Sequence, residues 1–329
     1  MHIVIVGAGA IGGWMGARLA RAGVDVSILA RGATLSAIRE RGLLLTEGGE
    51  TISSEIRASA DPSELKAADL VVISVKGPAL LSASNAISAL LSEKTAVLSV
   101  MNGIPWWFGR GLAGPIADKQ LASVDPAGQL SATIAVDRVI GSVVHASCGV
   151  SEPGHVVHRN GNGLILGEPG GGVSDRLAAT ADAFRAAGFE IKASELIQQD
   201  IWYKLWGNQT INPISALTGA TGDLILDDRL VADYALRIMA EAAAVGEAIG
   251  CHISETGEDR NAVTRKLGAF RTSMLQDVEA GRPLEIDALL SAPREIAARV
   301  GIATPNMDAL HGLTRLFASV RGLSGTAVV

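Results

Sequence analysis

Short, continuously apolar runs recur in the first 194 residues and alternate with stretches of helical periodicity. The most apolar runs cover residues 2–6, 24–29, 70–75 and 95–100, and they are rich in Val, Ile and Leu. Such runs are typical of parallel strands that are buried on both faces. Because these strands alternate with helices, we predict an α/β fold with a Rossmann-type, doubly wound sheet.

Further patterns in the same region predict strands at 43–46, 51–58, 139–146, 155–158, 164–166 and 189–192, and helices at 14–22, 79–91 and 175–187. After about Ser194 the strand-like runs cease. Helical periodicity then covers residues 195–216, 227–249, 259–280, 286–300 and 306–319. We therefore predict a dinucleotide-binding domain at 1–194 and an all-helical domain at 195–329.

One predicted helix of the second domain carries a regular polar series on an otherwise apolar sequence. Lys204, Asn208 and Asn212 recur every four residues, so their side chains share one face of the helix. An ammonium and two amides are costly to bury without partners, which favours a functional stripe at the junction of the domains. On spacing alone, a solvated stripe or a lysine whose head reaches water is equally supported. Pro213 follows directly and is expected to bend the helix.

A glycine-rich turn joins the first predicted strand to the first predicted helix. It has the spacing GxGxxG and consists of Gly7, Ala8, Gly9, Ala10, Ile11 and Gly12. Between a strand and a helix, this spacing predicts a dinucleotide site, in which the glycines permit a tight turn, approach of a pyrophosphate and close packing. The phosphates meet the free N–H groups of the helix N-terminus. A purely structural glycine turn is the alternative.

Polar residues follow the carboxyl ends of the predicted parallel strands, where ligands bind in such sheets. Arg31 lies where NAD sites usually place an acidic residue on the ribose, and its guanidinium can hold the 2′-phosphate of NADPH. Lys76 and Asn102 follow two further strands. Each of the three can instead be an ordinary polar residue of a loop.

An irregular segment follows Asn102 and extends to about residue 136. A loop of this length in a compact domain is usually functional or disordered. Its aromatic residues Trp106, Trp107 and Phe108 are predicted to border the substrate cleft, as a lid or as an oligomer contact. The alternative is a local hydrophobic anchor for the loop.

The composition narrows the class of protein. The 329 residues are 48% hydrophobic and 19% charged, which is typical of a globular protein of two domains. A net charge of −6 argues against a general affinity for nucleic acid or anionic membranes. Cys148 and Cys251 lie far apart, and no apolar run approaches the roughly 20 residues of a membrane span, so we expect a cytoplasmic protein. His155 and His158 have no third ligand at a metal spacing, and we predict no metal site.

A second dense stretch covers residues 272–287. Pro283 predicts the start of a helix, and the carboxylate of Glu285 in its first turn suits the helix dipole. This role would be purely structural. The functional alternative makes Glu285 a partner of Lys204 or of the cofactor ribose.

Together these stretches resemble ketopantoate reductase (2-dehydropantoate 2-reductase) over nearly the whole chain. The resemblance is carried by GAGAIGG from Gly7, the strand ending in Lys76, MNG with Asn102, KLWGNQTINPISALTG from Lys204 and SMLQDVEAGRPLEID from Ser273. The last two motifs are long and far more specific than the glycine loop.

The resemblance implies NADPH-dependent reduction of 2-dehydropantoate to (R)-pantoate, as in pantothenate biosynthesis, with a small 2-oxo acid as the binding partner and a homodimer as one assembly. The implied roles are a general acid at Lys204, substrate ligands at Asn208, Asn212 and Ser273, a contact to substrate and cofactor at Asn102, and a catalytic, cofactor-side carboxylate at Glu285. The residues implied in cofactor binding are the glycine loop, Arg31, Lys76, Asn102 and Glu285.

Two positions depart from the family pattern. Several members have a glutamine near the adenosine phosphate where this chain has Ala79, and some have a substrate-contacting asparagine where it has Gly222. The loop after Asn102 is also longer than in compact members. A related dehydrogenase of another 2-oxo or 2-hydroxy acid therefore remains an alternative, as does a non-catalytic dinucleotide sensor. Intact Lys204, Ser273 and Glu285 argue against the sensor.

Overall fold

The computed structural model describes residues 1–325, which divide into two compact units. The first unit consists of Met1–Met101 and Leu130–Ile197. The second consists of Asn102–Gln129 and the described residues from Gln198 onward. The sequence predicted one division, at 194/195, whereas the chain crosses between the units three times and returns to the first unit after Gln129.

The strands of the first unit form one mixed sheet. They are β1 His2–Val6, β2 Asp25–Leu29, β3 Leu43–Glu47, β4 Glu50–Ser54, β5 Arg57–Ser59, β6 Leu70–Ile73, β7 Ala96–Ser99, β8 Val139–Glu152, β9 His155–Gly167 and β10 Glu190–Ala193. Within it, neighbouring strands run parallel in the order β5-β2-β1-β6-β7-β8. This order reverses direction between β1 and β6, which is the switch point of a doubly wound sheet. The predicted fold class is therefore confirmed.

The remaining strands explain why the sheet is mixed. β8 and β9 pair antiparallel as a long ribbon, β3 and β4 form an antiparallel hairpin, and both β3 and β10 pair parallel with β9. The sequence predicted residues 155–158 and 164–166 as separate strands, but they belong to one 13-residue strand. Because β8 pairs with both segments, the strand continues across the glycines that separate them.

The helices of the first unit are α1 Ala10–Arg21, α2 Gly32–Arg41, α3 Gly77–Ser88 and α5 Asp175–Ala186, and the short α4 Gln129–Thr133 lies where the chain re-enters this unit. The sequence did not predict α2. This helix buries only Ile38 among its ten residues, so its apolar periodicity is weak.

Inside this unit, α1 is tied to the ribbon by a polar cluster around Arg18. The Arg18 guanidinium donates to Glu47 and to Asn162 Oδ1, and it lies 5.2 Å from the centre of the Trp14 ring. The Trp14 ring also stacks on the His158 ring, with ring centres 5.2 Å apart. Burial raises the pKa of Glu47, but the hydrogen bond from Arg18 and the positive charges around the carboxylate together outweigh this and leave the pKa below its usual value. The cluster is structural, because its charges are paired with one another.

The second unit is helical. It contains α6 Ile197–Thr218, α7 Gly222–Asp227, α8 Arg229–Ala248, α9 Gly257–Arg265, α10 Ser273–Glu279, a π-helical turn at Asp287–Ser291, α11 Ala292–Arg299 and α12 Pro305–Val320. The helix α6 continues through Pro213, so this residue does not end the helix. Residues 259–280, predicted as one helix, form α9 and α10, with Gly268 at a positive φ between them. None of the helices in residues 1–325 is long and apolar enough to cross a membrane.

Hydrogen bonds within the second unit explain why residues 102–129 belong to it. Glu295 of α11 accepts from the backbone N–H groups of Ala122 and Ser123 at 3.0 and 2.8 Å. Gln198 of α6 donates from Nε2 to the carbonyl of Arg110. These partners are distant in sequence, so the pattern of the segment itself could not reveal them.

Candidate active site

The glycine loop lies at the switch point of the sheet. Gly7 follows β1 with φ +96°, and Ser74, which follows β6, donates from Oγ to the carbonyl of Gly7 at 2.7 Å. A Cβ at Gly12 would collide with that carbonyl and with Ser74 Oγ, so this position requires glycine. A Cβ at Gly9 would meet no atom within 4 Å, which leaves an open approach to the backbone at the N-cap of α1. The loop fits a dinucleotide pyrophosphate, because an open approach and free N–H donors are what that group needs.

Arg31 and Lys76 lie at the same edge of the sheet as the glycine loop. Leu29, Val6 and Ile73 are in register at the carboxyl ends of β2, β1 and β6. Arg31 is exposed at the N-cap of α2, and within residues 1–325 its guanidinium makes no ion pair or hydrogen bond. Lys76 is half-buried at the N-cap of α3, and Ala79 is exposed in the first turn of that helix. An unpaired guanidinium here fits the 2′-phosphate of NADPH.

The stripe predicted on α6 is present in the second unit. Lys204 and Asn208 are half-buried, and Asn212 is 6% exposed. The amides of Asn208 and Asn212 form no hydrogen bond within the part of the chain that the structure describes. A nearly buried amide without partners is unfavourable, so these side chains are prepared for a polar ligand or for water.

The pKa of Lys204 is far from that of a surface lysine. Burial lowers this pKa to about 8, and the negative charge of Glu285 opposes the change. Glu285 is itself 8% exposed and precedes the π-helical turn by two residues. The structure thus brings Lys204 and Glu285 within range of each other's charge, as the functional alternative for Glu285 expected.

The Asn102 loop is held against the π-helical turn by its next two residues. Ile104 donates its backbone N–H to the carbonyl of Ala288 at 2.8 Å. Gly103 has φ +73°, and a Cβ there would collide with the same carbonyl. Gly103 was not predicted as a functional position, although a glycine directly after a candidate ligand is a signal for such close packing. The half-buried side chain of Asn102 is therefore placed near the segment that carries Glu285.

Ser273 is exposed as the first residue of α10, where Thr272 caps the helix by accepting from the N–H of Leu275 at 3.1 Å. The Ser273 hydroxyl makes no hydrogen bond with another residue of the described chain, 1–325. Its role as a substrate ligand stays a prediction.

The aromatic residues after Asn102 are part of the core of the second unit. Trp106 and Trp107 are each 2% exposed, and Phe108 is fully buried against Trp202 with ring centres 6.0 Å apart. Their burial favours the local hydrophobic anchor over the lid and the oligomer contact. Their position along the substrate cleft stays a prediction.

The position of Gly222 has no room for a side chain. A Cβ there would collide with the ring of Phe270, whose carbonyl accepts from the Gly222 N–H at 3.0 Å. The asparagine that some family members have at this position would not fit here. No group of three or more His, Cys, Asp or Glu side chains in residues 1–325 is arranged to hold a metal ion.

The fold and the site define a class: an oxidoreductase with a dinucleotide-binding sheet and a lysine-bearing helical unit. Models of "Ketopantoate reductase PanE/ApbA" and of its C-terminal part match residues 3–171 and 196–318. The chain belongs to the ketopantoate reductase family.

Individual relatives agree. A 2-dehydropantoate 2-reductase of Mesorhizobium japonicum is 44% identical, with 98% of this chain and 99% of the relative covered. A crystal structure of a candidate ketopantoate reductase from Ralstonia solanacearum is 52% identical, with a TM-score of 0.94 and coverage of 98% and 99%. The 2-dehydropantoate 2-reductase structure from Geobacter metallireducens is 30% identical, with a TM-score of 0.85 and coverage of 96% and 100%.

Proposed function

We propose that this protein reduces 2-dehydropantoate to (R)-pantoate with NADPH, and that Lys204 is the general acid. The observation that carries the proposal is the α6 stripe, where a lysine with a pKa of about 8 shares one helix face with two amides that lack partners. The bound NADPH supplies the hydride that attacks the 2-keto carbon. The residues of the chain supply binding, orientation and the proton.

Lys204 acts on the oxygen of the keto group. Below a pH of about 8 it is mainly an ammonium, because its pKa is about 8. Negative charge develops on the oxygen as the carbonyl is reduced, and the ammonium stabilises this charge and donates a proton to it. A pKa near the working pH suits a group that must give up its proton and regain it in each turnover.

The neutral side chains around Lys204 orient the substrate. The amides of Asn102, Asn208 and Asn212 can donate to the carboxylate and hydroxyl oxygens of 2-dehydropantoate. They add no charge, so the pKa of Lys204 remains governed by burial and by Glu285. Ser273 is assigned to the same task by the family resemblance.

The glycine loop and Arg31 hold the cofactor. The backbone of the loop binds the pyrophosphate, and the Arg31 guanidinium binds the 2′-phosphate, since the residues after the carboxyl end of β2, Ala30, Arg31 and Gly32, include no acidic side chain for the ribose. Lys76 and Glu285 are assigned to the cofactor as well. We infer a cytoplasmic location, which the unpaired thiols of Cys148 and Cys251 support, and a homodimer as the assembly.

A panel of 2-oxo acids tests the proposal, with NADPH consumption followed by absorbance. We expect the highest kcat/KM for 2-dehydropantoate. A higher kcat/KM for another 2-oxo acid would mean that this acid is the substrate, with the same type of reduction. No turnover with any member of the panel, together with measurable NADPH binding, would instead identify a dinucleotide sensor.

A further inference from the structure

A chain of hydrogen bonds connects α12 to the π-helical turn beside Glu285. Arg294 donates from Nη1 to Nδ1 of His311 at 2.9 Å, and Nε2 of His311 lies 3.0 Å from Ser291 Oγ. Ser291 donates in turn to Oδ1 of Asp287 at 3.1 Å. Asp308 completes the chain by accepting from Nε of Arg294 at 2.5 Å.

The direction of each bond in this chain is fixed. A guanidinium can only donate, so Nδ1 of His311 must be the acceptor. His311 is 8% exposed, and burial, with the charges of Arg294 and Arg315, lowers its pKa to about 4 against the opposing charge of Asp308. The neutral ring therefore carries its hydrogen on Nε2 and donates to Ser291, whose own hydrogen goes to Asp287.

The chain ends on the turn that organises the candidate site. Asp287 and Ser291 are the first and last residues of the π-helical turn, so the network joins its two ends. The Ala288 carbonyl of the same turn accepts from the Ile104 N–H at 2.8 Å, and Glu285 lies two residues before the turn. π-helical turns are rare and are frequently found at functional sites, so the side chains that hold this turn in place can affect the candidate site.

We propose that His311 is a positioning residue that acts on the reaction through the π-helical turn. It holds the turn in the form that keeps the charge of Glu285 acting on Lys204 and keeps the Asn102 loop against Ala288. The inference rests on the proposed function, because Lys204 supplies the quantity to be measured.

A purely structural role predicts a different result. Thr314 is fully buried on the same helix, but its hydroxyl donates only to the carbonyl of Leu310 at 2.7 Å, within α12. Thr314→Val therefore removes a buried hydrogen bond at similar depth without breaking the network, and it serves as the matched control.

The test is the pH profile of kcat/KM for 2-dehydropantoate in His311→Leu. Without the network we expect Glu285 to move away from Lys204, so the pKa of Lys204 falls. The midpoint of the kcat/KM profile should then move down by about half a pH unit, which is part of the shift expected for the loss of one nearby charge. The KM for the keto acid rises because the Asn102 loop loosens. Ser291→Ala breaks the same chain at its middle and should shift the midpoint in the same direction, which covers the case of an unfolded His311→Leu.

Two further variants test whether the shift of the midpoint depends on the hydrogen bonds of His311 and on the charge of Glu285. His311→Gln keeps an acceptor for Arg294 and a donor for Ser291, so it should restore the wild-type midpoint. In a Glu285→Gln background, His311→Leu should shift the midpoint no further. An unchanged midpoint in both His311→Leu and Ser291→Ala would overturn the inference, as would the same shift in Thr314→Val. If instead the wild-type enzyme shows no midpoint that depends on Lys204, the proposed function fails and not this link.

Discussion

Glu285 and Lys204 are coupled by charge in the second unit: burial lowers the pKa of Lys204 to about 8, and the carboxylate of Glu285 limits that fall. A lysine with this pKa is largely protonated at neutral pH and loses its proton in mildly basic solution. The pair therefore sets the pH range in which the proposed general acid is available.

Removing the charge of Glu285 should move this range. In the proposed mechanism the reduction needs protonated Lys204, so kcat/KM should fall as the pH rises through the Lys204 pKa of about 8. Glu285→Gln removes the charge that raises this pKa, and the midpoint of the profile should move to lower pH by about one unit. Glu258→Gln, which alters an exposed carboxylate on α9, should leave the midpoint in place. A midpoint that stays or rises in Glu285→Gln would show that Glu285 does not act on the titrating group.

Gly103→Ala should impair substrate binding more than it impairs the fold. Its Cβ would collide with the Ala288 carbonyl and displace the Asn102 loop, so we expect a KM for the keto acid at least about tenfold higher. Gly301 has the same φ of +73° and open space around it, so Gly301→Ala reports the backbone strain alone. Steady-state kinetics and thermal unfolding of both variants separate the two effects. Equal KM values in Gly103→Ala and Gly301→Ala would show that the close packing of Gly103 against Ala288 does not affect substrate binding.

Arg31→Ala should discriminate between the two nicotinamide cofactors. A charge-assisted hydrogen bond contributes about 1.5–3 kcal/mol, so the variant should bind NADPH roughly tenfold or more weakly. NADH lacks the 2′-phosphate, and its binding should barely change. Titration of each cofactor by fluorescence measures both constants. Equal losses would show that Arg31 does not recognise the 2′-phosphate.

Two glycines of the loop should respond differently to the same change. Gly12→Ala places a methyl group on the Gly7 carbonyl and Ser74 Oγ, so it should lower the melting temperature. Gly9→Ala meets no protein atom within 4 Å, so it should fold normally and bind NADPH at least about tenfold more weakly. Calorimetry with and without NADPH checks both outcomes. Normal NADPH affinity in Gly9→Ala would show that this loop does not bind the pyrophosphate of the cofactor.

The sequence predicted those parts of the molecule whose signal is local. The strand β1, the glycine loop and the α6 stripe each follow from neighbouring residues whose burial or spacing determines the structure. By contrast, α2 was missed because it buries one residue. The two strands predicted between 155 and 166 are one strand, since both pair with β8, with register shifts between them.

The parts of the site that the sequence could not predict depend on contacts between distant residues. The backbone hydrogen bond from Ile104 to Ala288 joins residues 184 positions apart in the sequence, and no local pattern around either residue predicts the pairing. The packing of Phe108 against Trp202 of α6 likewise joins residues that are far apart in the sequence. Family resemblance implied a catalytic role for Glu285, and the structure adds that its charge acts on Lys204.

The most direct test of the account is the kinetics of Lys204→Ala with 2-dehydropantoate and NADPH, with Lys266→Ala as a control on an exposed lysine of the same unit. General acid catalysis is worth about 10²–10⁴ in rate, so kcat should fall by a factor in that range while NADPH affinity is retained. Lys266→Ala should match the wild-type enzyme. A near wild-type kcat in Lys204→Ala would contradict the mechanism, whatever the fold.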